Sequence, residues 1–303
     1  MTETTVETET PPSKGSGLLL GWLAAFGVLF IWSGWVVVSR FGVLNTLTVY
    51  DIAVLRFLVA FLAVSPFVVK YWPRRLAFWK ILVLGGSVGV PFLLLALFGM
   101  RFAPASHAGI LLNGTLPIFA AAILWLWVGQ RPVRMEAVGI GVILAGCILT
   151  GWDRGSDGLL PQAWIGQLLF VAAALVLAVY MCATRLWGVR PIEAMVVIPT
   201  VNIALFGPVY LALLPKNLDR APWSEILLQG LYQGLGPSIL GVICFTQAVR
   251  SLGSTRTAAM MAGVPGLAAL MAIPVLGEWP SLVAWGGLAV TTAGILLMVP
   301  ERK

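Results

Sequence analysis

Trp32, Ser33, Trp35, Asn113, Thr115, Tyr180, Asn202, Gln229, Tyr232, Gln233 and Gln247 are the polar or amphipathic side chains that interrupt the long apolar runs of this 303-residue sequence. Amides, hydroxyls and indole N–H groups form hydrogen bonds without carrying charge. The chemistry within their reach is therefore recognition of small neutral or zwitterionic molecules, not bond making. A catalytic nucleophile needs an adjacent base, and a metal needs a set of ligands. One histidine, His107, and three cysteines, Cys147, Cys182 and Cys244, each set in an apolar run, supply neither. A free thiol in such a run behaves as a small hydrophobe. No enzymatic activity, metal or cofactor is expected.

An aromatic and Met-lined cavity with isolated amides suits cargo that has an apolar side chain. The residues expected to line it are Trp32, Trp35, Phe98, Asn113, Tyr180, Gln247, Met260 and Met261, with helix packing or lipid contact as the competing reading for each. His107 is read as a cargo or gate contact, with a plain interfacial position as its alternative. Ionised groups inside apolar runs are costly and mark function. Asp51 and Arg56 are found there, five residues apart where a favourable helical pair is three or four, which leaves an outer-end charge pair open. Glu136, Glu193, Glu225 and Glu278 stand at the ends of runs and are expected to face water. A proton-driven exchanger needs a buried carboxylate; with none in view, export down the cargo's own gradient is the expected energetics.

Helices in a bilayer must position these groups. Hydrophobic residues make up 59% of the chain and charged ones 10%, with a mean hydropathy of +0.96, whereas soluble domains carry about 25% charged residues. Ten apolar segments, 17–39, 48–69, 79–100, 106–128, 133–151, 163–184, 191–214, 225–248, 254–276 and 281–299, lie near the roughly 20 residues that span about 30 Å of hydrocarbon. Residues 1–16, rich in Thr and Glu, read as a solvated cytoplasmic tail. The net charge of +7 comes from Lys and Arg scattered through short loops, which is no nucleic-acid footprint. With the N-terminus in the cytoplasm, 13 of these charges fall inside, and Arg40, Arg101, Arg154, Lys216 and Arg220 fall outside. Both termini are therefore expected in the cytoplasm.

The stretch Ser106 to Leu149 recurs without a gap 148 positions later, at Ser254 to Leu297, with Pro117 on Pro265, Gly129 on Gly277, Pro132 on Pro280, Gly139 on Gly287 and Gly146 on Gly294. Two copies of five spans require the second to cross the membrane upside down, which gives an all-α integral membrane protein of two inverted five-helix repeats, 17–152 and 153–303, around a central cavity. Pro91, Pro117, Pro237 and Pro265 each remove a backbone donor inside a span. The matched pair Pro117 and Pro265 is expected to kink both copies and act as the hinge of alternating access. The glycines of spans five and ten read as helix-packing devices, with dimer contact as a lesser alternative; the oligomeric state is left open.

The motifs Trp32-Ser33-Gly34, Leu55-Arg56-Phe57, Ala105-Ser106, Leu116-Pro117 and Gly129-Gln130-Arg131-Pro132, followed by the Gly139 to Gly146 helix, resemble the EamA-type branch of the drug/metabolite transporter superfamily. The second copy, with Gly277-Glu278-Trp279-Pro280, has the Gly-Glu-x-x turn typical of that family, while the first has Gln130 where Glu is usual. The resemblance covers about residues 17 to 300 and is greatest to the YddG-type amino-acid exporters. It implies a ten-helix bacterial inner-membrane exporter of amino acids, aromatic ones included, with the lipid bilayer and the small-molecule cargo as its partners. A nucleotide-sugar carrier would place Lys or Arg at a span centre and a multidrug pump Glu or Asp, and neither is seen. A non-transporting scaffold would leave the duplication unexplained.

Overall fold

The structure is a computed structural model that describes residues 16–153 and 161–299. The expected tail, apart from Ser16, lies outside the described residues, as do Lys14, Arg154, Arg302 and Lys303. Among the described residues, regular structure is entirely helical: α1 (Ser16–Leu44), α2 (Val49–Val64), α3 (Val68–Tyr71), α4 (Phe78–Val88), α5 (Val90–Phe102), α6 (Ala105–Val128), α7 (Arg134–Gly151), α8 (Ala163–Leu186), α9 (Pro191–Leu213), α10 (Trp223–Leu235), α11 (Gly241–Leu252), α12 (Ser254–Met261), α13 (Val264–Leu276) and α14 (Leu282–Met298). Among the described residues nine helical stretches are long and apolar enough to cross a membrane, and α14 is a further apolar helix of 17 residues. This is a multi-pass membrane protein.

Local chemistry sets the helix ends. Thr48 caps α2 by accepting from the Asp51 N–H at 3.1 Å, while Asp51 accepts from the Thr48 N–H at 2.8 Å, a reciprocal box. Gly129 and Gly277 end α6 and α13 at φ 73° and 68°. That left-handed conformation favours glycine, and a proline three residues on prevents the helix from resuming at once.

Four apolar stretches are interrupted at proline, the second near its end by the 3₁₀ turn Ser65–Phe67 that contains Pro66. The third breaks at Gly89, with Pro91 in the first turn of α5; the eighth passes through a π-helical turn, Gly236–Leu240, that contains Pro237. In the ninth, α12 ends before Gly263 and Pro265 opens α13. Its copy α6 continues through Pro117. The difference lies two residues before each proline: Gly263 in one copy, and in the other Thr115, whose hydroxyl donates to the Leu111 carbonyl at 2.7 Å and holds the turn together. At the Gly89 break, Asn202 of α9 supplies the missing partners, its Oδ1 accepting from the Val90 N–H at 2.7 Å and its amide donating to the Gly85 carbonyl at 2.8 Å. Replacing Asn202 by Ala is expected to cost about 1–3 kcal/mol and to lower the thermal unfolding midpoint in detergent. An unchanged midpoint would show that the break needs no support from α9.

Packing obeys the duplication. α7 crosses α14, α1 packs on α11 and α13, and α8 packs in the same way on α5 and α6. The crossing of α7 with α14 is antiparallel. A Cβ on Gly146 would meet the Thr291 nitrogen at 2.8 Å and the Gly287 carbonyl at 2.9 Å, and one on Gly294 would meet the Ile143 nitrogen at 2.8 Å and the Gly139 carbonyl at 2.9 Å. These contacts exchange when the copies are exchanged. The Gly129 and Gly277 turns therefore lie at opposite ends of the bundle. The main core forms where α1, α2, α5, α6, α8 and α13 meet.

Candidate functional site

At the middle of that core Trp35 of α1, 8% exposed, stacks on Phe92 of α5 with ring centres 5.8 Å apart. Arg56 of α2 places its guanidinium carbon 5.9 Å from the centre of the Trp35 ring and 6.0 Å from that of Phe57. Phe98 meets Tyr50 edge-on at 5.8 Å. Gly34 makes room for Tyr232, whose hydroxyl donates to the Ile31 carbonyl at 3.0 Å, and Met271 of α13 packs beside them. Two fully buried amides on α10 tie it to α1: Gln229 donates to the Val38 carbonyl at 2.8 Å and Gln233 to the Ser39 hydroxyl at 2.8 Å. The Gln233 carbonyl oxygen then faces Arg56 Nη1 at a long 3.4 Å. Trp35 Nε1 and Arg56 Nε are buried with no acceptor. Among the described residues Arg56 has no ion-pair partner.

The residues expected from sequence to line a cavity divide between this centre and other places. Trp35 and Phe98 are in it, and Trp32 lies beside it on α1, stacked on Phe245 at 5.5 Å. Gln247, which donates to the Ser251 hydroxyl at 2.9 Å, and Met260, packed on Ala24, Ala25, Ala248 and Leu252, sit where the first half of α1 meets α11 and α12, and Met261 closes α12 nearby. Tyr180 packs with Ile81, Leu84, Val197 and Val201 between α8, α4 and α9. Asn113 is half-buried on α6 and donates to the Gly109 carbonyl at 2.9 Å, one turn from the point where Gly109 abuts Pro265. Pro117 lies inside α6. His107 is fully buried, its Nε2 lying 3.0 Å from Asp153 Oδ2 and its Nδ1 3.2 Å from the Gln167 amide. A ring protonated on Nε2 satisfies both contacts. The Ser281 hydroxyl donates to the same Asp153 oxygen at 2.7 Å.

Of the four glutamates expected to face water, Glu193 and Glu225 are buried and Glu136 and Glu278 are half-buried. Asp51, Asp153, Glu193 and Glu225 are all buried. Each gains partners that a linear pattern does not bring together: Asp51 has Tyr210 and the Asn217 N–H beside its local cap Thr48, Glu225 the Thr46 N–H at 3.0 Å, and Glu193 Arg75 Nη2 at 2.8 Å beside the local Arg190 N–H at 2.9 Å. The hydrogen bonds to Glu193 raise Arg75, in the loop before α4, above the ordinary guanidinium value. Asp51 is thus fully occupied away from Arg56. The lack of a buried carboxylate can no longer argue for downhill export.

Glu278 does more than end a helix. Its carboxylate accepts from Arg40 Nε at 2.6 Å and from the Ala105 N–H that opens α6 at 2.8 Å, while Arg40 also donates to the Met100 carbonyl. α1, α5 and α6 are thereby fastened to the turn before α14 at one end of the bundle. The matching position at the other end is Gln130, which is exposed. The departure from Glu at 130 is visible in the sequence, but the latch at its copy depends on Arg40 and Ala105, which are distant in the chain.

The EamA-like transporter family model matches residues 19–152 and 164–299, one match per repeat. The chain is 27% identical over 225 residues, 72% of each chain, to a protein of Streptantibioticus cattleyicolor named as a probable terminal-alkyne amino-acid exporter. A solved structure described as "Crystal structure of protein" matches 94% of this chain and 96% of its own with a TM-score of 0.58 and 19% identity, which shows a shared fold. Two family matches that divide where the duplication divides, on a helical membrane bundle whose packing repeats with them, settle the classification: this chain belongs to the EamA-like transporter family.

Proposed function

We propose that the protein exports amino acids with apolar or aromatic side chains across a bacterial inner membrane, with both termini in the cytoplasm, by alternating access. In this reading α14 is the tenth span and the repeats cross the bilayer in opposite senses. The observation that carries it is the antiparallel, exchange-symmetric crossing of α7 and α14, because such symmetry lets one half rock against the other about a fixed central site. The latch of Arg40, Glu278 and Ala105 then closes the outer end, while exposed Gln130 leaves the inner end without its counterpart. The stacked Trp35 and Phe92 favour cargo with a flat or apolar side chain, and the name of the Streptantibioticus relative supports both amino-acid cargo and outward direction. Among the residues assigned from sequence, Trp32, Trp35, Phe98 and Asn113 would face cargo on its path; His107, Tyr180, Gln247, Met260 and Met261 would act from the walls and ends of the pathway. Pro265 and Pro117 would serve as hinges, the broken ninth stretch moving more than α6.

Counterflow tests this. Proteoliposomes loaded with unlabelled L-phenylalanine are expected to accumulate external radiolabelled L-phenylalanine transiently, with competition by other apolar amino acids. Accumulation no greater than in protein-free vesicles, across a panel of the standard amino acids, would contradict the reading.

A further inference from the structure

We propose that Arg56 and Trp35 form the anchor for the carboxylate of the cargo, an inference that rests on the amino-acid reading above and names the group by which the cargo is held. A guanidinium inside a membrane bundle is retained against a substantial desolvation cost. Against it the protein sets only the ring faces of Trp35 and Phe57 and one hydrogen bond, with no opposite charge among the described residues. Arg56 has no ion-pair partner among the described residues, and Asp51, the one acid near it in sequence, is saturated by Thr48, Tyr210 and Asn217. Its single hydrogen bond, to Gln233, is long at 3.4 Å. Gln233 cannot turn closer without giving up Ser39, to which its amide donates.

Two donors are left over on neighbouring side chains. Trp35 Nε1 is buried in a residue only 8% exposed and lacks an acceptor, as does Arg56 Nε, and the guanidinium carbon lies 5.9 Å from the indole ring. Buried donors of a folded protein are nearly always paired, so two unpaired ones on side chains in contact, one of them cationic, are suited to an acceptor with two oxygens and a negative charge. A carboxylate meets both conditions, and Arg binds it in a fork geometry that Lys cannot reproduce. A phosphate monoester, with nearly two charges, would be matched better by a second base, whereas the contacts of Arg56 among the described residues are with Trp35, Phe57 and Gln233. Phe92, stacked on Trp35, continues the surface with an aromatic face for an apolar side chain.

Isothermal titration of the purified full-length protein in detergent, with L-phenylalanine, 3-phenylpropionate, L-phenylalanine amide and inorganic phosphate, tests the anchor. The two carboxylates are expected to bind, and the amide to bind about tenfold to a hundredfold more weakly, with phosphate not competing. Arg56→Gln removes the difference between phenylalanine and its amide; Arg56→Lys retains part of it; Trp35→Phe weakens both carboxylates several-fold and keeps the preference. Because Arg56→Gln deletes a charge that no protein group balances, the ligand-free variant is expected to unfold at or above the wild-type temperature. Equal binding of phenylalanine by wild type and a folded Arg56→Gln variant overturns the anchor and leaves the export reading standing. Arg56-dependent binding of 3-phenylpropionate without counterflow of any amino acid keeps the anchor and sinks amino-acid export. Failure of the wild-type protein to bind either carboxylate, or competition by phosphate equal to theirs, overturns the anchor.

Discussion

Replacing Glu278 by Ala is expected to lower stability by about 2–4 kcal/mol and to remove counterflow. The carboxylate neutralises Arg40, whose side chain is 9% exposed, and caps the free N–H of Ala105 at the start of α6. Alanine would leave the guanidinium buried beside the Met100 carbonyl with no charge to balance it, and would orphan a helix-terminal donor worth about 1 kcal/mol. The lower end of the range allows for Glu278 itself being 20% exposed. Glu278→Gln retains the shape and one acceptor and is expected to fall between. Thermal unfolding in detergent and counterflow in proteoliposomes read the two effects. An alanine variant equal to wild type in both would remove the latch from the account.

The second large effect is expected at the α7 and α14 crossing. Gly146→Leu and Gly294→Leu are expected to prevent recovery of monodisperse protein, since even a Cβ at either position meets main-chain atoms within 3.0 Å. Alanine at each is expected to cost about 1–3 kcal/mol. Because the two positions exchange with the copies, their costs are expected to agree within about 0.5 kcal/mol. Gly141, on the same α7 but with open space around it, is the control, and Gly141→Ala is expected to be neutral or slightly stabilising. Similar losses at Gly141 and Gly146 would mean that helix propensity, not the crossing, sets the cost.

Much of the fold is written locally, which is why it can be read from sequence. A run of about 20 apolar residues must be helical in lipid, and a glycine followed by proline at Gly129 and at Gly277 stops such a run with no help from elsewhere. The copy relation is legible for the same reason, as a shift of 148 positions. Burial of the charged groups is not local. Asp153 looks like a loop residue until α6, α8 and the start of α14 bring His107 and Ser281 to it, and Glu193 looks like a solvated helix start until Arg75 arrives from another loop. Aromatic side chains betray the site only in part: Trp35 and Phe98 reach the centre, yet Met260 and Gln247, equally apolar or amphipathic in pattern, pack at a corner of α1, α11 and α12. Arg56 carried the available signal, a cation inside an apolar run, but its meaning depended on where Asp51 went.

The proposed opposite orientation of the two repeats in the membrane, on which alternating access rests, is tested most directly by placing a cysteine at each copy of the helix-ending turn. In cells producing Gln130→Cys or Trp279→Cys variants, both positions being exposed, a membrane-impermeant maleimide is expected to label residue 279 in intact cells and residue 130 only after permeabilisation. Labelling of both from the same side would contradict the account.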